Sequence, residues 1–397
     1  MRKKLIRFFA VTIAIALLCP LNVWAEETAQ EEKEELAIGV EAPYALLMEV
    51  STGTVLYEKD ANTAAPPASV TKIMTMLLIF EALEKGKIKL DDMVTVSEKA
   101  ASMGGSQVFL EPNEKQTVDT MLKCIAIASA NDACVAMAEY VSGSEEAFVN
   151  QMNERAKELG MKNTKFVNCN GLDAEGHLTS AYDIALMSRE LLLNHPQVHD
   201  YCTIWMDTIV HSTAKGSQEF GLSNTNKLIR QYEYCTGLKT GSTSEAGFCV
   251  SATAKKDDME LIAVIMNGET SKSRFLDATT LLNYGFANYQ IYRDTDAERE
   301  LLTEIPVKGG VEQSVLPVYE EEFAYLLMNG ENIADVEKRL SLPEELQAPV
   351  SGGQKLGVLE YYHGNQKMGE VQILADKSVN KAKYKDYLER VWLAWMM

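Results

Sequence analysis

Apolar and polar residues alternate near the start of the chain in a pattern that predicts a β-hairpin. Residues 44–50 alternate, a turn follows at Ser51-Thr52-Gly53, and the alternation resumes over residues 55–57. A period of two is the spacing of the side chains on one face of a strand. Two prolines then interrupt the chain, and the apolar run over residues 70–83 predicts a helix directly after them.

The middle of the chain is predicted to be mainly helical, because apolar residues recur at helical spacing between residues 117 and 193. From Leu238 the period changes to two, which predicts a second hairpin over residues 248–266. A helix over residues 273–286 follows. The order of hairpin, helices, hairpin and helix suggests a domain over residues 38–290. Its single sheet would be built from both ends, with a helical lobe inserted between them.

The remaining quarter of the chain has a different pattern. Residues 298–376 contain short strand-like runs, separated by Gly and Pro, which predict a second, β-rich domain. The last segment, residues 381–397, has an apolar stripe at helical spacing that contains Tyr384, Leu388, Val391, Trp392 and Trp395. Charged residues lie elsewhere on the helix, so we expect an amphipathic helix that lies on a membrane surface. Packing of this helix on the β-rich domain is the alternative.

The N-terminus predicts export. Four basic residues precede an apolar run over residues 8–18, which is short for a membrane span, and Val23-Trp24-Ala25 fits a cleavage site. Residues 1–25 are therefore interpreted as a signal peptide, with an uncleaved anchor as the alternative. The Glu-rich residues 26–37 are expected to be a disordered linker.

Charge and cysteine content narrow the class of function. The formal net charge is −19, and no basic stripe offsets it, so nucleic acid is excluded as a partner. Seven cysteines are present, of which Cys19 lies in the predicted signal peptide. An even number in an exported chain permits disulfides without requiring them. The absence of a Cys-x-x-Cys motif and of clustered histidines argues against a metal site, and we expect no cofactor.

Three short motifs occur in order along the chain. They are Ser69-Val70-Thr71-Lys72, Ser129-Ala130-Asn131 and Lys239-Thr240-Gly241. Each motif alone is weak, since a Ser-x-x-Lys often occurs by chance at a helix cap. Together, at a helix start, between helical runs and at the beginning of a strand, they indicate a serine nucleophile.

The spacing within the first motif suggests how the serine is activated. Residues three apart on a helix share a face, so Lys72 can reach the Ser69 hydroxyl. Serine needs an adjacent base, and a buried lysine beside other cations loses proton affinity and can be that base. The five histidines (177, 195, 199, 211 and 363) form no plausible Ser-His-Asp set. We expect each to be a surface or structural residue.

The other two motifs supply groups for the substrate. Ser129 could relay a proton to the leaving amine, and Asn131 could hold a substrate amide. Lys239 adds positive charge, and Thr240 could bind a carboxylate. Gly241 lets the backbone approach closely.

An oxyanion hole is expected from two backbone groups. They are the N–H groups of Ser69 and Ser242, and the positive end of the Ser69 helix adds to their potential.

With these motifs the sequence resembles the D-alanyl-D-alanine carboxypeptidase family of low-molecular-mass penicillin-binding proteins. The resemblance rests on residues 64–75, 128–134, 170–173 and 236–241 and extends over about residues 42–290. It implies an α/β (α+β) fold, namely a penicillin-binding/β-lactamase-like transpeptidase domain with an antiparallel sheet and a helical lobe. More loosely, it continues through a small β-rich domain and an amphipathic C-terminal helix.

The resemblance also implies a function. The chain would remove the terminal D-alanine from peptidoglycan stem peptides through an acyl-enzyme on Ser69, at the outer face of the cytoplasmic membrane or in the cell wall. β-Lactam antibiotics would be covalent inhibitors. Arg274 matches a family arginine near the site. The sequence departs from the family at Ala130, where glycine is common, and Cys235 lies close to the Lys239 strand. We expect Ala130 to have little effect and Cys235 to be a bystander, with a redox-sensitive neighbour of the site as the alternative.

Three alternatives remain open from the sequence. A class A-type β-lactamase shares the Ser-x-x-Lys and Lys-Thr-Gly logic and adds a Glu. The sequence around Glu190 matches the pattern that contains this Glu. However, Glu190 continues a helical period, so we interpret it as an acidic residue on a helix surface. A non-catalytic wall-binding or penicillin-sensing protein could retain the cleft, since small errors of geometry remove much of the rate. An endopeptidase would use the same chemistry with another leaving group.

Overall fold

The computed structural model describes residues 38–213, 216–295, 302–328 and 331–396. The predicted signal peptide and acidic linker lie outside the described residues.

The elements run in chain order. The strands are β1 (Tyr44–Glu49), β2 (Val55–Lys59), β3 (Met93–Thr95), β4 (Lys115–Thr117), β5 (Met206–Thr213), β6 (Gly216–Ser223), β7 (Cys235–Thr243), β8 (Gly247–Lys256), β9 (Met259–Gly268), β10 (Tyr289–Asp294), β11 (Ile305–Lys308), β12 (Ser314–Val315), β13 (Pro317–Tyr319), β14 (Phe323–Met328), β15 (Val336–Ser341), β16 (Leu346–Gln347), β17 (Lys355–His363) and β18 (Gln366–Ala375). The α-helices are α1 (Lys72–Glu84), α2 (Glu98–Ala101), α3 (Val118–Ala126), α4 (Asn131–Ser142), α5 (Glu145–Glu158), α6 (Ala181–Asn194), α7 (His199–Cys202), α8 (Leu228–Gln231), α9 (Ser271–Asn288) and α10 (Tyr384–Met396).

A five-stranded antiparallel sheet with the order β2-β1-β9-β8-β7 forms the frame of the larger, N-terminal part of the described chain. The two predicted hairpins pair through β1 and β9, which confirms one sheet built from both ends of the segment. Side chains of β1 alternate between two cores. Leu46 and Met48 pack with the helical lobe, whereas Ala45 and Leu47 pack with α9. Strand β7 is left at the edge of the sheet.

Helix α1 lies at the centre of the helical lobe. Ten of its residues are buried, including Ile73, Met76, Leu77 and Phe80, so it has apolar neighbours all round. The predicted helix over residues 70–83 is therefore confirmed with one adjustment. The α-helix begins at Lys72, and a 3-10 helix, Ala68–Thr71, precedes it.

Three local expectations need correction. The Lys239 motif does not begin a strand, because β7 starts at Cys235 and a bulge before Gly237 hides the early alternation. The largely helical stretch 117–193 contains the non-helical residues 159–180. The hairpin of β5 and β6 was not predicted, since Ile209 and Leu222 are its only fully buried apolar residues among those described.

The C-terminal part is rich in strands, as predicted. Strand β10 directly follows α9 in the chain and pairs with β14. Two further sheets have the strand orders β13-β18-β17-β15 and β12-β11-β16. Their apolar residues form separate small cores around Tyr361 and Val315. The chain then ends in α10, of which no side chain is buried. Among the described helices, none has the length and apolar content needed to cross a bilayer.

Candidate active site

The first motif brings Ser69 and Lys72 into direct contact. Ser69 lies in the 3-10 helix, and Lys72 Nζ, one turn later, is 2.9 Å from its Oγ. Lys72 is fully buried, and its Nζ also lies 2.7 Å from Asn131 Oδ1 and 2.6 Å from the carbonyl oxygen of Asn170. The amine therefore has three oxygen neighbours.

Burial makes Lys72 suitable as a proton acceptor. It lowers the pKa of Lys72 below the ordinary value of a lysine, because a charged ammonium loses its hydration there. A neutral amine has two protons and one lone pair. It can donate its protons to Asn131 and Asn170 and direct the lone pair at the Ser69 hydroxyl. The geometry thus allows Lys72 to take the proton of Ser69.

A second buried lysine lies beside Ser129. Ser129 is in the loop between α3 and α4 and has a φ of 60°, which is uncommon for a non-glycine residue. Lys239 Nζ donates to Ser129 Oγ at 2.9 Å and to the Thr240 carbonyl at 3.0 Å. Burial and the neighbouring Lys72 lower the pKa of Lys239 to about 7. The hydroxyl and the amine form a chain along which a proton can move.

The edge strand β7 carries the remaining predicted groups. Thr240 Oγ1 donates to Thr225 Oγ1 at 2.7 Å. Arg274, from α9, donates through Nη1 to the carbonyl oxygens of Gly241 at 2.8 Å and of Cys249 at 3.1 Å. Arg274 is buried and fixes the backbone of β7 at the motif.

Gly241 permits the backbone of β7 to meet the start of the Ser69 helix. A Cβ built on Gly241 would lie 2.6 Å from Ser69 N and 2.9 Å from Val70 N, so any side chain would clash. The first N–H groups of a helix lack an acceptor within the helix. Ser242 follows at the exposed end of β7, opposite Phe248. Both donors expected for an oxyanion therefore come from segments in close contact.

Sequence reasoning missed residues that complete the site. The Asn170 carbonyl holds Lys72, and Gly171 is required because its added Cβ would lie 1.9 Å from Ala68 O. The only signal for them was the resemblance over residues 170–173. Thr225 and the segment 104–106, whose Gly104 and Ser106 carbonyls accept from Asn131 at 2.7 Å each, carried no signal.

Residues to which the sequence analysis assigned no catalytic role, such as Glu190 and His177, form contacts that support the fold. Glu190 pairs with Arg155, which also bonds Glu81, so it is held in the helical lobe. His177 accepts from Val167 N through Nδ1 and bonds Thr71 Oγ1 through Nε2, and burial lowers its pKa to about 4. The neutral ring therefore supports the helix start.

Cys235 and Ala130, the two departures from the family pattern, have no part in the proton transfers described for the cleft. Burial raises the pKa of Cys235 to about 11, so its thiol stays protonated at neutral pH. Ala130 is fully buried. All six cysteines of the described residues are free, and no cluster of His, Cys, Asp and Glu there could hold a metal.

Comparisons with known proteins agree on one family. The model of a D-alanyl-D-alanine carboxypeptidase family (peptidase S11) matches residues 27–270, and that of the penicillin-binding protein 5 C-terminal domain matches residues 288–381. The chain is 42% identical over 393 residues to the D-alanyl-D-alanine carboxypeptidase DacF of Bacillus subtilis (strain 168), covering 99% of both chains.

Solved structures with the same fold include two penicillin-binding proteins. Penicillin-binding protein 5 from Haemophilus influenzae superposes with a TM-score of 0.72 at 30% identity, over 86% of this chain and 98% of that one. Penicillin-binding protein D2 from Listeria monocytogenes, in an ampicillin-bound form, has a TM-score of 0.55 at 30% identity, over 62% of this chain and 98% of that one. These likenesses confirm the predicted fold class.

Proposed function

This chain belongs to the D-alanyl-D-alanine carboxypeptidase family, and we propose that it removes the terminal D-alanine of peptidoglycan stem peptides through an acyl-enzyme on Ser69. The observation that carries the proposal is the contact of the buried Lys72, through Nζ, with Ser69 Oγ at 2.9 Å. Family membership makes the chain a serine-type carboxypeptidase. The roles of individual residues are derived below from their contacts.

Acylation begins at the Ser69 hydroxyl. Neutral Lys72 accepts the proton of Ser69 while Oγ attacks the carbonyl carbon between the two D-alanines. The negative charge that develops on the carbonyl oxygen is stabilised by the N–H groups of Ser69 and Ser242. Because the Lys72 amine is held by Asn131 and Asn170, it stays aligned with the hydroxyl.

Collapse of the tetrahedral intermediate releases D-alanine. The C–N bond breaks, and the leaving amine takes a proton from the Ser129 hydroxyl, which Lys239 replenishes across 2.9 Å. The proton that Lys72 took from Ser69 passes on to Lys239, which leaves Lys72 neutral again. Water then attacks the Ser69 ester and gives a proton to Lys72, which returns it to Ser69 Oγ as the ester bond breaks. One peptide bond is hydrolysed, and both lysines end in their starting state.

The substrate is expected to lie along β7. An edge strand offers unpaired backbone groups to an extended peptide. The terminal carboxylate would lie near Lys239, Thr240 and Arg274, which together supply positive charge and a hydroxyl. Asn131 would hold a backbone amide further upstream. A β-lactam would acylate Ser69 in the same way, which the ampicillin-bound relative supports.

We also propose that the protein works outside the cytoplasm, attached to the membrane surface by α10. The predicted signal peptide supports export, and peptidoglycan is an extracytoplasmic substrate. The helix exposes its large apolar residues, which include Trp392 at 59% and Trp395 at 88% exposure. Such a helix lies in the bilayer interface instead of crossing it.

The test uses the protein without its first 25 residues. We expect release of D-alanine from a diacyl-D-alanyl-D-alanine tripeptide and a slowly decaying penicillin label on Ser69. Ser69→Ala should abolish both, whereas Ser142→Ala, at the far end of α4, should change neither. A label retained on another serine in Ser69→Ala would contradict the assignment. Fast penicillin hydrolysis without D-alanine release would indicate a β-lactamase, and a stable label without release would indicate an endopeptidase or a sensor.

A further inference from the structure

The residue that precedes the nucleophile has an uncommon backbone conformation. Ala68 has a φ of 49°, in the left-handed region that non-glycine residues seldom occupy, and it is buried at 1% exposure. Backbone strain of this kind persists only where the surrounding contacts hold it, and it is frequent at active sites. The contacts that hold Ala68 therefore bear on how Ser69 is presented to a substrate.

The peptide group between Ala68 and Ser69 has a different task at each end. Its N–H belongs to Ser69 and is one of the two donors assigned to the oxyanion. Its carbonyl oxygen belongs to Ala68 and accepts a hydrogen bond from Thr71 Oγ1 at 2.8 Å. A trans peptide group is planar, with its N–H and its C=O pointing in opposite directions. Fixing the direction of the carbonyl therefore fixes the direction of the N–H.

Two glycines confine the same peptide group from separate segments of the chain. A Cβ built on Gly171 would lie 1.9 Å from Ala68 O, and one built on Gly241 would lie 2.6 Å from Ser69 N. This packing limits how far the group can turn. The hydroxyl of Thr71 adds a directional bond to the carbonyl, so the orientation of that hydroxyl matters for the oxyanion donor.

His177 determines where the Thr71 hydroxyl points. Val167 N–H donates to His177 Nδ1 at 2.9 Å, so Nδ1 is the acceptor and the proton of the neutral ring is assigned to Nε2. Nε2 lies 2.8 Å from Thr71 Oγ1 and donates to it. Because the hydroxyl oxygen is used as an acceptor in this way, its own proton is directed at Ala68 O.

The opposite arrangement is disfavoured at both ends of this chain of hydrogen bonds. A proton on Nδ1 of His177 would face the Val167 N–H, and an unprotonated Nε2 would draw the Thr71 proton away from Ala68 O. Burial keeps the ring neutral by lowering the pKa of His177 to about 4, against the opposing effect of Asp173. The ring is only 3% exposed and is shielded from bulk water, so it acts as a fixed donor.

We propose that His177 is a positioning residue that aims the Ser69 N–H at the oxyanion. Since His177 is buried, it acts through Thr71 and the Ala68 carbonyl and does not touch the substrate. The inference rests on the proposed function and deepens it, because it gives the segment between α5 and α6 a part in catalysis. The oxyanion exists only beyond the bound substrate state, so loss of this alignment slows the reaction and spares substrate binding.

The test measures D-alanine release by the wild-type protein and by two variants of His177. Leucine has a similar volume and no donor, so in His177→Leu we expect kcat to fall about tenfold, with KM changed by less than about twofold. This loss is smaller than the roughly 10²–10³-fold loss on removal of an oxyanion donor, because the Ser69 N–H remains present. His177→Gln can donate from near the position of Nε2 and should keep kcat within a factor of about three.

A transition-state analogue gives a readout that a purely structural role would not move. A boronic-acid analogue of acyl-D-alanine forms a tetrahedral adduct with a serine and places an oxygen at the oxyanion position. Its Ki should therefore rise in His177→Leu by the same factor by which kcat/KM falls. Thr71→Val removes the linking hydroxyl and should behave like His177→Leu. The double variant should lose no more activity than the worse single variant, because both changes break one chain of hydrogen bonds.

Thr164→Val is the matched control for damage to the segment between α5 and α6. The Thr164 hydroxyl bonds Thr179 and Asp183 within and next to this segment, far from the chain of hydrogen bonds that ends at Ala68. We expect Thr164→Val to lower the thermal midpoint and to leave kcat unchanged. If His177→Leu does not fold, Thr71→Val decides the matter, since the same fall in kcat at constant KM is required of it.

Three results would overturn the inference. An unchanged kcat in His177→Leu or in Thr71→Val would leave the carboxypeptidase assignment intact and reduce the contact to packing. Equal losses of kcat in Thr164→Val and His177→Leu would mean that any weakening of the segment lowers activity. Losses that add in the double variant would mean that the two side chains act separately. Absence of D-alanine release from the wild-type protein would reject the proposed function and this inference together.

Discussion

The cleft around Ser69 and the C-terminal helix α10 depart from ordinary burial in opposite directions. The cleft buries Lys72 and Lys239, which proteins seldom bury. The helix exposes large apolar residues over its whole length, and none of its side chains is buried. One region therefore places ionisable amines where water is excluded, and the other exposes apolar surface to water.

The buried lysines and the exposed apolar helix differ in how far contacts within the chain offset the cost of their unusual placement. Every proton of a neutral Lys72 amine has an acceptor in the chain itself, and Lys239 has two. Helix α10 has few contacts of this kind, among them the bonds of Arg390 to the Gly310 and Val311 carbonyls. The cleft is thus complete without a partner, apart from its substrate, whereas the large apolar side chains of the helix have no comparable cover among the described residues. The following experiments test this difference.

The largest effect on activity is expected from removing the buried lysine that contacts Ser69. Lys72→Ala deletes the base and leaves Asn131 Oδ1 and the Asn170 carbonyl without their donor. Because general base catalysis contributes roughly 10²–10⁴-fold, we expect D-alanine release to fall by at least a factor of about 10³. Acylation by penicillin, measured as the rate of label formation, should fall similarly.

Lys85→Ala is the matched control for this variant. Lys85 follows the last turn of α1 and forms an exposed ion pair with Glu81, so its removal should leave the rate within a factor of about two. A loss of less than tenfold in Lys72→Ala, with the thermal midpoint unchanged, would show that another group activates Ser69.

A smaller effect is expected from changing the charge of the cleft with pH. The pKa of Lys239 is lowered to about 7 in the free protein, so its ammonium is present below that pH and is lost above it. A neutral Lys239 attracts the substrate carboxylate less, and KM should rise several-fold between pH 6.5 and 8.5. In contrast, kcat should not fall over the same range, because high pH keeps Lys72 neutral and a neutral Lys239 can still relay to Ser129 the proton that Lys72 takes from Ser69.

Lys239→Arg separates this charge effect from other titrations. Arginine stays protonated throughout the range, so the KM of this variant should lose its dependence on pH even if kcat is lower. A KM that rises equally in both proteins would mean that another group controls carboxylate binding.

The same contrast explains what the sequence could predict. The three motifs predicted which residues come together in the candidate site, because each proposed chemical role needs one residue type at a fixed local spacing, as between Ser69 and Lys72. The hairpins of the central sheet were predictable from their period of two. These signals are local, so a single sequence contains them.

The parts that were missed depend on contacts between distant segments. The Asn170 carbonyl reaches Lys72 across 98 positions, and a backbone acceptor carries no residue-specific signal. Thr225 meets Thr240 only because the chain between them folds back. The β5–β6 hairpin is mostly exposed, so burial imposes little alternation on its sequence. For α10, the apolar stripe was predictable, whereas its separation from the β-rich core follows from the structure.

The smallest effect on activity is expected from changing the helix. Deletion of residues 384–397 keeps Lys381 and Ala382, which bond to the loop at Gly309 and Gly310. We expect kcat/KM on a soluble tripeptide to stay within a factor of about two, because no catalytic residue contacts α10. Co-sedimentation with vesicles of phosphatidylethanolamine and phosphatidylglycerol should be lost. Trp395→Glu should weaken it, and Glu389→Gln, the control on the polar side, should not.

The salt dependence of vesicle binding distinguishes apolar insertion from electrostatic adsorption. The whole chain is acidic, so anionic lipid repels it, and added salt screens that repulsion. If α10 inserts its apolar stripe, binding should therefore be retained or strengthened between 50 mM and 500 mM NaCl. Binding that disappears at high salt would mean that lysines near the helix hold the protein by charge. Undiminished sedimentation of the deletion variant would show that α10 is not the anchor, and its exposed apolar residues would then need another partner.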